Sequence, residues 1–273
     1  DGIRDSVASR GLGDVYKRQT NIAFNAAQKL QESGKKSSIA FFSLEMSSEQ
    51  LATRILSEQA KISSSDIRKG NLSENDLDNI VSVSKDILEI PLFIDDTPAI
   101  NVGSISSRAR KLKRTNGLGA IVIDYLQLVR PSKSSKNETR VLEISDITQN
   151  LKALAKELNI PIIALSQLSR QVEQRDDKKP QLSDLRESGS IEQDSDVVMF
   201  IFWEEYYLEK SEPALGTSDY IEWQQKMEEI HGQADLLIAK QRHGPTGNIK
   251  LSFERKYTRF GNFISKSESD SYE

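Results

Sequence analysis

The sequence predicts an α/β fold, a mostly parallel sheet with helices on both faces and a C-terminal β-hairpin, on three observations. Several short segments are continuously apolar and rich in β-branched or aromatic residues, as strands buried on both faces require. Helix-period segments lie between them, the pattern of right-handed βαβ crossovers. Only past residue 234 does the pattern change to alternating apolar and polar residues around a Gly/Pro turn.

The elements follow in chain order. Ser38-Ile-Ala-Phe-Phe-Ser-Leu44, Ala120-Ile-Val-Ile-Asp124, Pro161-Ile-Ile-Ala-Leu-Ser166 and Asp196-Val-Val-Met-Phe-Ile-Phe202 are the four expected buried strands, and Pro91-Leu-Phe-Ile-Asp95 adds a shorter one. Ile144, Ile147, Leu151, Leu154 and Leu158 form a 3-4-3-4 stripe with Lys152, Lys156 and Glu157 off it, predicting an amphipathic helix. Residues 204–233 read as a polar, partly helical insertion. Asp235-Leu-Leu-Ile-Ala-Lys240 and Asn248-Ile-Lys-Leu-Ser-Phe253 flank His243-Gly-Pro-Thr-Gly247 as the arms of a hairpin. The Ser- and acid-rich end, residues 261–273, is expected to be a flexible tail.

Composition narrows the chemistry. The 37 basic and 41 acidic side chains leave a net charge of −4, so any nucleic-acid contact must be local rather than spread over a basic surface. With no cysteine there is no disulfide scaffold, thiolate site or cysteine nucleophile, and two isolated histidines do not make a zinc site. No apolar run approaches the ~20 residues of a membrane span, which predicts a protein without a membrane partner.

In an open parallel sheet, ligands bind beyond the carboxyl ends of the strands. Three expected strands end there in chemistry-bearing residues: Ser43-Leu44-Glu45, Asp124-Tyr125 and Ser166-Gln167. Each alone could be a cap or turn former. Together they suit phosphoryl transfer. Asp124, an acid after four hydrophobics, has the form of a Walker B carboxylate that holds Mg2+ beside a nucleotide. Glu45 could polarise an attacking water, and Gln167 could sense a γ-phosphate. Lys240 and Arg242 sit two apart on an expected strand and so share a face. They are either a solvated cation pair or phosphate-stabilising cations offered to a neighbouring subunit, and spacing does not decide between the two.

Five segments carry a resemblance: Phe42-Ser-Leu-Glu-Met-Ser47, Ile121-Val-Ile-Asp-Tyr-Leu-Gln-Leu128, Leu165-Ser-Gln-Leu-Ser-Arg170, Asp184-Leu-Arg-Glu-Ser-Gly-Ser-Ile-Glu-Gln-Asp194 and Ile238-Ala-Lys-Gln-Arg-His-Gly-Pro-Thr-Gly247. In this order and spacing they resemble the RecA-like C-terminal motor domain of DnaB-type replicative DNA helicases, over residues 20–260. The resemblance implies a RecA-like P-loop NTPase core in a hexameric homo-oligomer. That ring would hydrolyse ATP or another NTP with Mg2+, move 5′ to 3′ on single-stranded DNA, and act in the bacterial cytoplasm at the replisome with primase and helicase loader as partners. It implies Glu45 as catalytic glutamate, Asp124 as the acid holding Mg2+ through water, Gln167 as γ-phosphate sensor, and Lys240 and Arg242 as cations supplied in trans. Arg54 matches an arginine near the nucleotide; Arg186, Glu187 and Gly189 fall in a DNA-gripping loop. A recombinase-type DNA-dependent ATPase and a non-catalytic scaffold subunit are the alternative readings.

One departure stands out. No Gly-x-x-x-x-Gly-Lys-Ser/Thr occurs in the 273 residues, although the resemblance places that phosphate cradle immediately before Thr20. Residues 11–19 resemble translated adaptor bases, so residues 1–19 are expected to be a non-native or disordered leader. The chain as it stands is expected to hydrolyse ATP poorly.

Overall fold

The computed structural model describes residues 19–131, 139–185, 189–257 and 259–263. The described residues gather into two compact units: those of 19–169 with 183–195, and those of 170–182 with 196–263.

The first unit is built on β1 (Ser38–Ser43), β2 (Leu92–Asp95), β3 (Leu118–Asp124) and β4 (Ile162–Ala164), all parallel, in the spatial order β2-β1-β3-β4. Helix α1 (Gln19–Glu32) precedes β1. Between β1 and β2 lie α2 (Ser48–Ala60), α3 (Ser64–Lys69) and α4 (Glu74–Glu89). Helix α5 (Val102–Thr115) leads into β3, and α6 (Arg140–Leu158) joins β3 to β4. The short helix α7 (Gly189–Asp194) belongs to the same unit. β1 and β3 are buried along their length because alternate residues meet a helical layer on each side. Ile39, Phe41, Ala120 and Val122 pack with Ala23 and Ala27 of α1 and Leu51 of α2. Ala40, Phe42, Ile121 and Ile123 point the other way and are equally buried, as are Ile105 of α5 and Ile144, Ile147 and Leu154 of α6.

Local chemistry sets the element ends. Ser47 caps α2 and Ser73 caps α4, each in a reciprocal capping box with the residue three on. Helix α6 stops at Asn159, whose φ of 50° supplies the left-handed turn. Gly117 enters β3 at φ +74°, where a Cβ would stand 2.5 Å from the Lys36 carbonyl oxygen. Only glycine lets β3 come in this close to β1.

Two strand expectations are corrected. The segment at 196–202 forms β5 (Val197–Phe202), but it pairs antiparallel with β6 (Gln233–Gln241) instead of joining the parallel sheet. β4 is a three-residue edge strand of that sheet and only partly buried, not covered on both faces.

The second unit carries the antiparallel sheet β5-β6-β7-β8, with β7 (Gly247–Glu254) and β8 (Arg259–Asn262). The expected hairpin is present with longer arms. The insertion folds as α8 (Glu204–Glu209) and α9 (Ser218–Ile230). The core of this unit is Trp203, fully buried, edge-on to Phe253 at 5.1 Å and stacked on Tyr206 at 5.7 Å. Beside it the buried Glu205 carboxylate accepts the Trp203 indole N–H (3.1 Å) and the Gly232 N–H (3.1 Å), and faces His231 Nδ1 at 2.8 Å. Trp203→Ala removes both the ring and that donor, so it should cost about 3–5 kcal/mol in chemical denaturation. A loss below about 1 kcal/mol would show that the aromatic cluster does not hold this unit together.

Candidate nucleotide site

The sheet order contains a topological switch. From β1 the chain moves outward to β2, then returns past β1 to β3 on the other side. Helical connections therefore diverge between β1 and β3 and leave a crevice at their carboxyl ends. Ser43 and Asp124, the last residues of these two strands, are direct partners in the ladder, and Leu44 N–H donates to the Asp124 carbonyl at 2.8 Å.

The loop that follows β1 is held at both sides. Ser43 Oγ donates to the Met46 carbonyl (2.7 Å), and Asp96, just past β2, accepts the Ser48 N–H (2.8 Å) at the start of α2. Between these ties Glu45 projects into solvent. Asp124 is buried at the floor of the crevice, 4% exposed. Burial, then the Glu45 carboxylate, push its carboxyl from an ordinary 3.8 up to about 7, while the Arg54 guanidinium pulls it down. The same burial and the same two carboxylates raise the Tyr125 phenol. The structure thus brings Glu45, Arg54, Asp124 and Tyr125 into one electrostatic neighbourhood. The Asp124–Tyr125 peptide is cis.

Gln167 lies three residues past β4, on the same sheet edge, with its backbone N–H 3.2 Å from Gln127 Oε1. One residue on, Leu168 bridges to Leu185 and Ser169 N–H donates to the Asp184 carbonyl (2.7 Å). Arg186 and Glu187 lie outside the described residues; Gly189 opens α7, which Thr148 of α6 grips through Asp194. Lys240 and Arg242 belong to the other compact unit. The strand rule behind their expected shared face covers Lys240 only: β6 ends at Gln241, one residue short of Arg242. Arg242 sits in the turn, its N–H donating to the Asp196 carbonyl (2.8 Å) and its guanidinium 3.3 Å from the Asp196 carboxylate.

Among the described residues no three carboxylates or histidines cluster as a metal cage. A single buried carboxylate in a negative local field still suits Mg2+, which keeps most of its waters and takes one or two protein oxygens beside phosphate oxygens. Asp124 would hold it.

Asp124 also makes a stability prediction. Its folded carboxyl keeps a proton that the unfolded chain has lost between pH 4 and 7, so its contribution falls as pH rises through that window. Asp124→Asn should gain on the parent by about 2–4 kcal/mol from pH 4 to pH 8 in denaturation experiments. A pH-independent difference would overturn the assignment.

The DnaB-like helicase C-terminal domain model matches residues 17–262. The chain belongs to that family. Among DnaB-like relatives, it is 53% identical to the replicative DNA helicase DnaB of Rickettsia typhi over 252 residues, covering 90% of this chain and 50% of that protein. It is 45% identical to DnaB of Geobacillus stearothermophilus over 242 residues, covering 89% and 48%. The chain therefore spans about half the length of the curated relatives it matches. Of solved DnaB-like structures, one isolated ATPase domain superposes with a TM-score of 0.76 at 33% identity, covering 91% of this chain and 81% of that one. A DnaB-like replicative helicase described with its interactions with primase gives 0.75 at 32% identity, covering 96% and 56%. The fold is the RecA-like α/β ATPase fold of this family.

Two residues of this sheet edge carry no signal strong enough to be singled out from the sequence: Gln127, between two leucines after β3, and Arg140, the first residue of α6. A polar side chain flanked by two leucines just past a Walker B-like acid was the one available signal for Gln127.

Proposed function

We propose that this chain is the motor portion of a replicative DNA helicase, coupling hydrolysis of ATP with Mg2+ to 5′-to-3′ movement along single-stranded DNA and to duplex unwinding. The observation that carries this reading is the convergence of Glu45, Arg54 and Asp124 at the β1–β3 switch point, in a chain of the DnaB-like family.

In this reading residues 20–260 work as the motor domain. Asp124 would hold Mg2+, which when bound would supply charge neutralisation on the phosphates. The exposed Glu45 carboxylate, at the lip of the crevice, orients and deprotonates the attacking water. Arg54 offsets negative charge beside the nucleotide. Gln167 meets the γ-phosphate with a neutral amide from the next strand end. Lys240 and Arg242 act across a subunit boundary in a hexameric ring of identical chains. The segment holding Arg186, Glu187 and Gly189 grips the DNA backbone, supported by the tie of Asp184 and Leu185 to Leu168 and Ser169. A ring sums a few loop cations over six subunits, which reconciles DNA binding with a net charge of −4. Primase and a helicase loader are the expected protein partners, at the bacterial replisome in the cytoplasm. No helix among the described residues is long and apolar enough to cross a membrane.

The DNA arm of this reading is tested by Arg186→Ala. Single-stranded DNA binding should weaken for all sequences alike, with the slope of log K against log salt shallower by about 0.7 per subunit contact. A loss confined to one sequence context would reject a phosphate grip.

A further inference from the structure

Just past β3 the chain turns into a single 3-10 turn, Leu126–Leu128. Peptide groups of β3 therefore run out while the segment after β4 still needs partners. The ladder continues for one step: Leu165 N–H donates to the Ile123 carbonyl (3.0 Å), and Leu126 N–H donates to the Leu165 carbonyl (2.8 Å). The next backbone donor, and the hydroxyl beside it, are met by a side chain. Gln127 Nε2 donates to Ser166 Oγ at 2.9 Å, and Gln127 Oε1 accepts the Gln167 N–H at 3.2 Å. A backbone N–H can only donate, so the oxygen must face Gln167. A carboxamide oxygen accepts as a peptide carbonyl does, and here it supplies the acceptor that β3 no longer offers to the Gln167 N–H, while its amide nitrogen is anchored on the Ser166 hydroxyl.

The rung is itself braced. Arg140, the first residue of α6, donates through Nη2 to the Gln127 carbonyl (2.6 Å) and through Nη1 to Glu143 Oε2 (2.7 Å). The main chain of Gln127 is thus tied to the first turn of α6, and its side chain to the main chain of Gln167.

We propose that Gln127 is a positioning residue for Gln167, fixing where the Gln167 backbone leaves the sheet and so where its amide can meet a phosphate. The inference rests on the reading of Gln167 as the γ-phosphate sensor. A single neutral hydrogen bond contributes only about 1 kcal/mol to stability, yet a misplacement of about 1 Å at a reacting group can cost about a hundredfold in rate. Positioning therefore shows in turnover more than in folding.

The test begins with the 273-residue chain. Gln127→Met, similar in length but without the carboxamide, should speed amide exchange at Gln167 by about five- to tenfold, with Leu165, held by the backbone ladder, unchanged. In a version with a Gly-x-x-x-x-Gly-Lys-Thr loop joined ahead of Thr20, the same change should lower kcat for ATP by about ten- to a hundredfold and leave KM within about twofold. Gln127→Glu retains an acceptor of equal reach for the Gln167 N–H and should recover most of the exchange protection. Normal Gln167 exchange in Gln127→Met overturns the contact. Normal kcat in Gln127→Met, where Gln167→Ala is impaired, overturns positioning alone. Normal kcat in Gln167→Ala overturns the sensor reading, and the inference with it.

Discussion

The 273-residue chain should bind a non-hydrolysable ATP analogue at least about 10²-fold more weakly than a version with a hydrophobic strand and Gly-x-x-x-x-Gly-Lys-Thr joined ahead of Thr20. RecA-like sites hold the β- and γ-phosphates through the N–H groups of that loop and its lysine, and the 273 residues contain no such motif. What the crevice does present is two carboxylates. Burial first, then Glu45, raise the Asp124 carboxyl against the pull of Arg54, so a further negative charge here meets both a desolvated floor and the Glu45 carboxylate. A triphosphate brings several. Losing even two charge-assisted hydrogen bonds, at about 1.5–3 kcal/mol each, accounts for the hundredfold. Isothermal titration of both proteins decides it. Equal affinities would mean that other residues cradle the phosphates.

Glu45→Gln in the loop-bearing version should lower ATP turnover by about 10²–10⁴-fold with little change in nucleotide affinity. A base that acts on the attacking water contributes to the transition state and not to ground-state binding. The substitution has a second consequence, independent of turnover. Glu45 is one of the charges raising the Asp124 carboxyl, so its removal should let Asp124 ionise at lower pH, measurable by carboxyl-carbon NMR in the 273-residue chain. Near-normal turnover would make Glu45 a structural residue. An unmoved Asp124 titration would place the two carboxylates too far apart to cooperate.

Much of the site was legible because its signals are local. Asp124 ends a run of buried β-branched residues, and a carboxylate there is conspicuous against its own neighbours. Glu45 follows Phe41-Phe42-Ser43-Leu44, where the chain leaves β1 for the loop before α2. Both could be placed on one sheet edge from parallel topology alone. The Lys240–Arg242 pair was legible as charge but not as geometry. Two-residue spacing predicts one face only within a strand, and β6 ends at Gln241, one residue short of Arg242.

The sequence by itself determined which segments are strands, which ends of them carry acids and amides, and that the chain is α/β. Each of these rests on the identity of consecutive residues, which side-chain burial and alternation express directly. Tertiary structure alone decided three things. It set the partner of β5 and its burial, since an apolar run reads the same beside a parallel or an antiparallel neighbour, and here Val198, Phe200 and Phe202 are buried while Val197 and Met199 are exposed, not covered on both faces. It set the charge state of Asp124, because desolvation and the approach of Glu45 and Arg54 exist only once β1, β3 and α2 are assembled. It also gave Gln127 its place, by hydrogen bonds to Ser166 and Gln167 that span 39 and 40 residues. No local pattern encodes such a bond, because donor and acceptor become neighbours only when β4 docks beside β3.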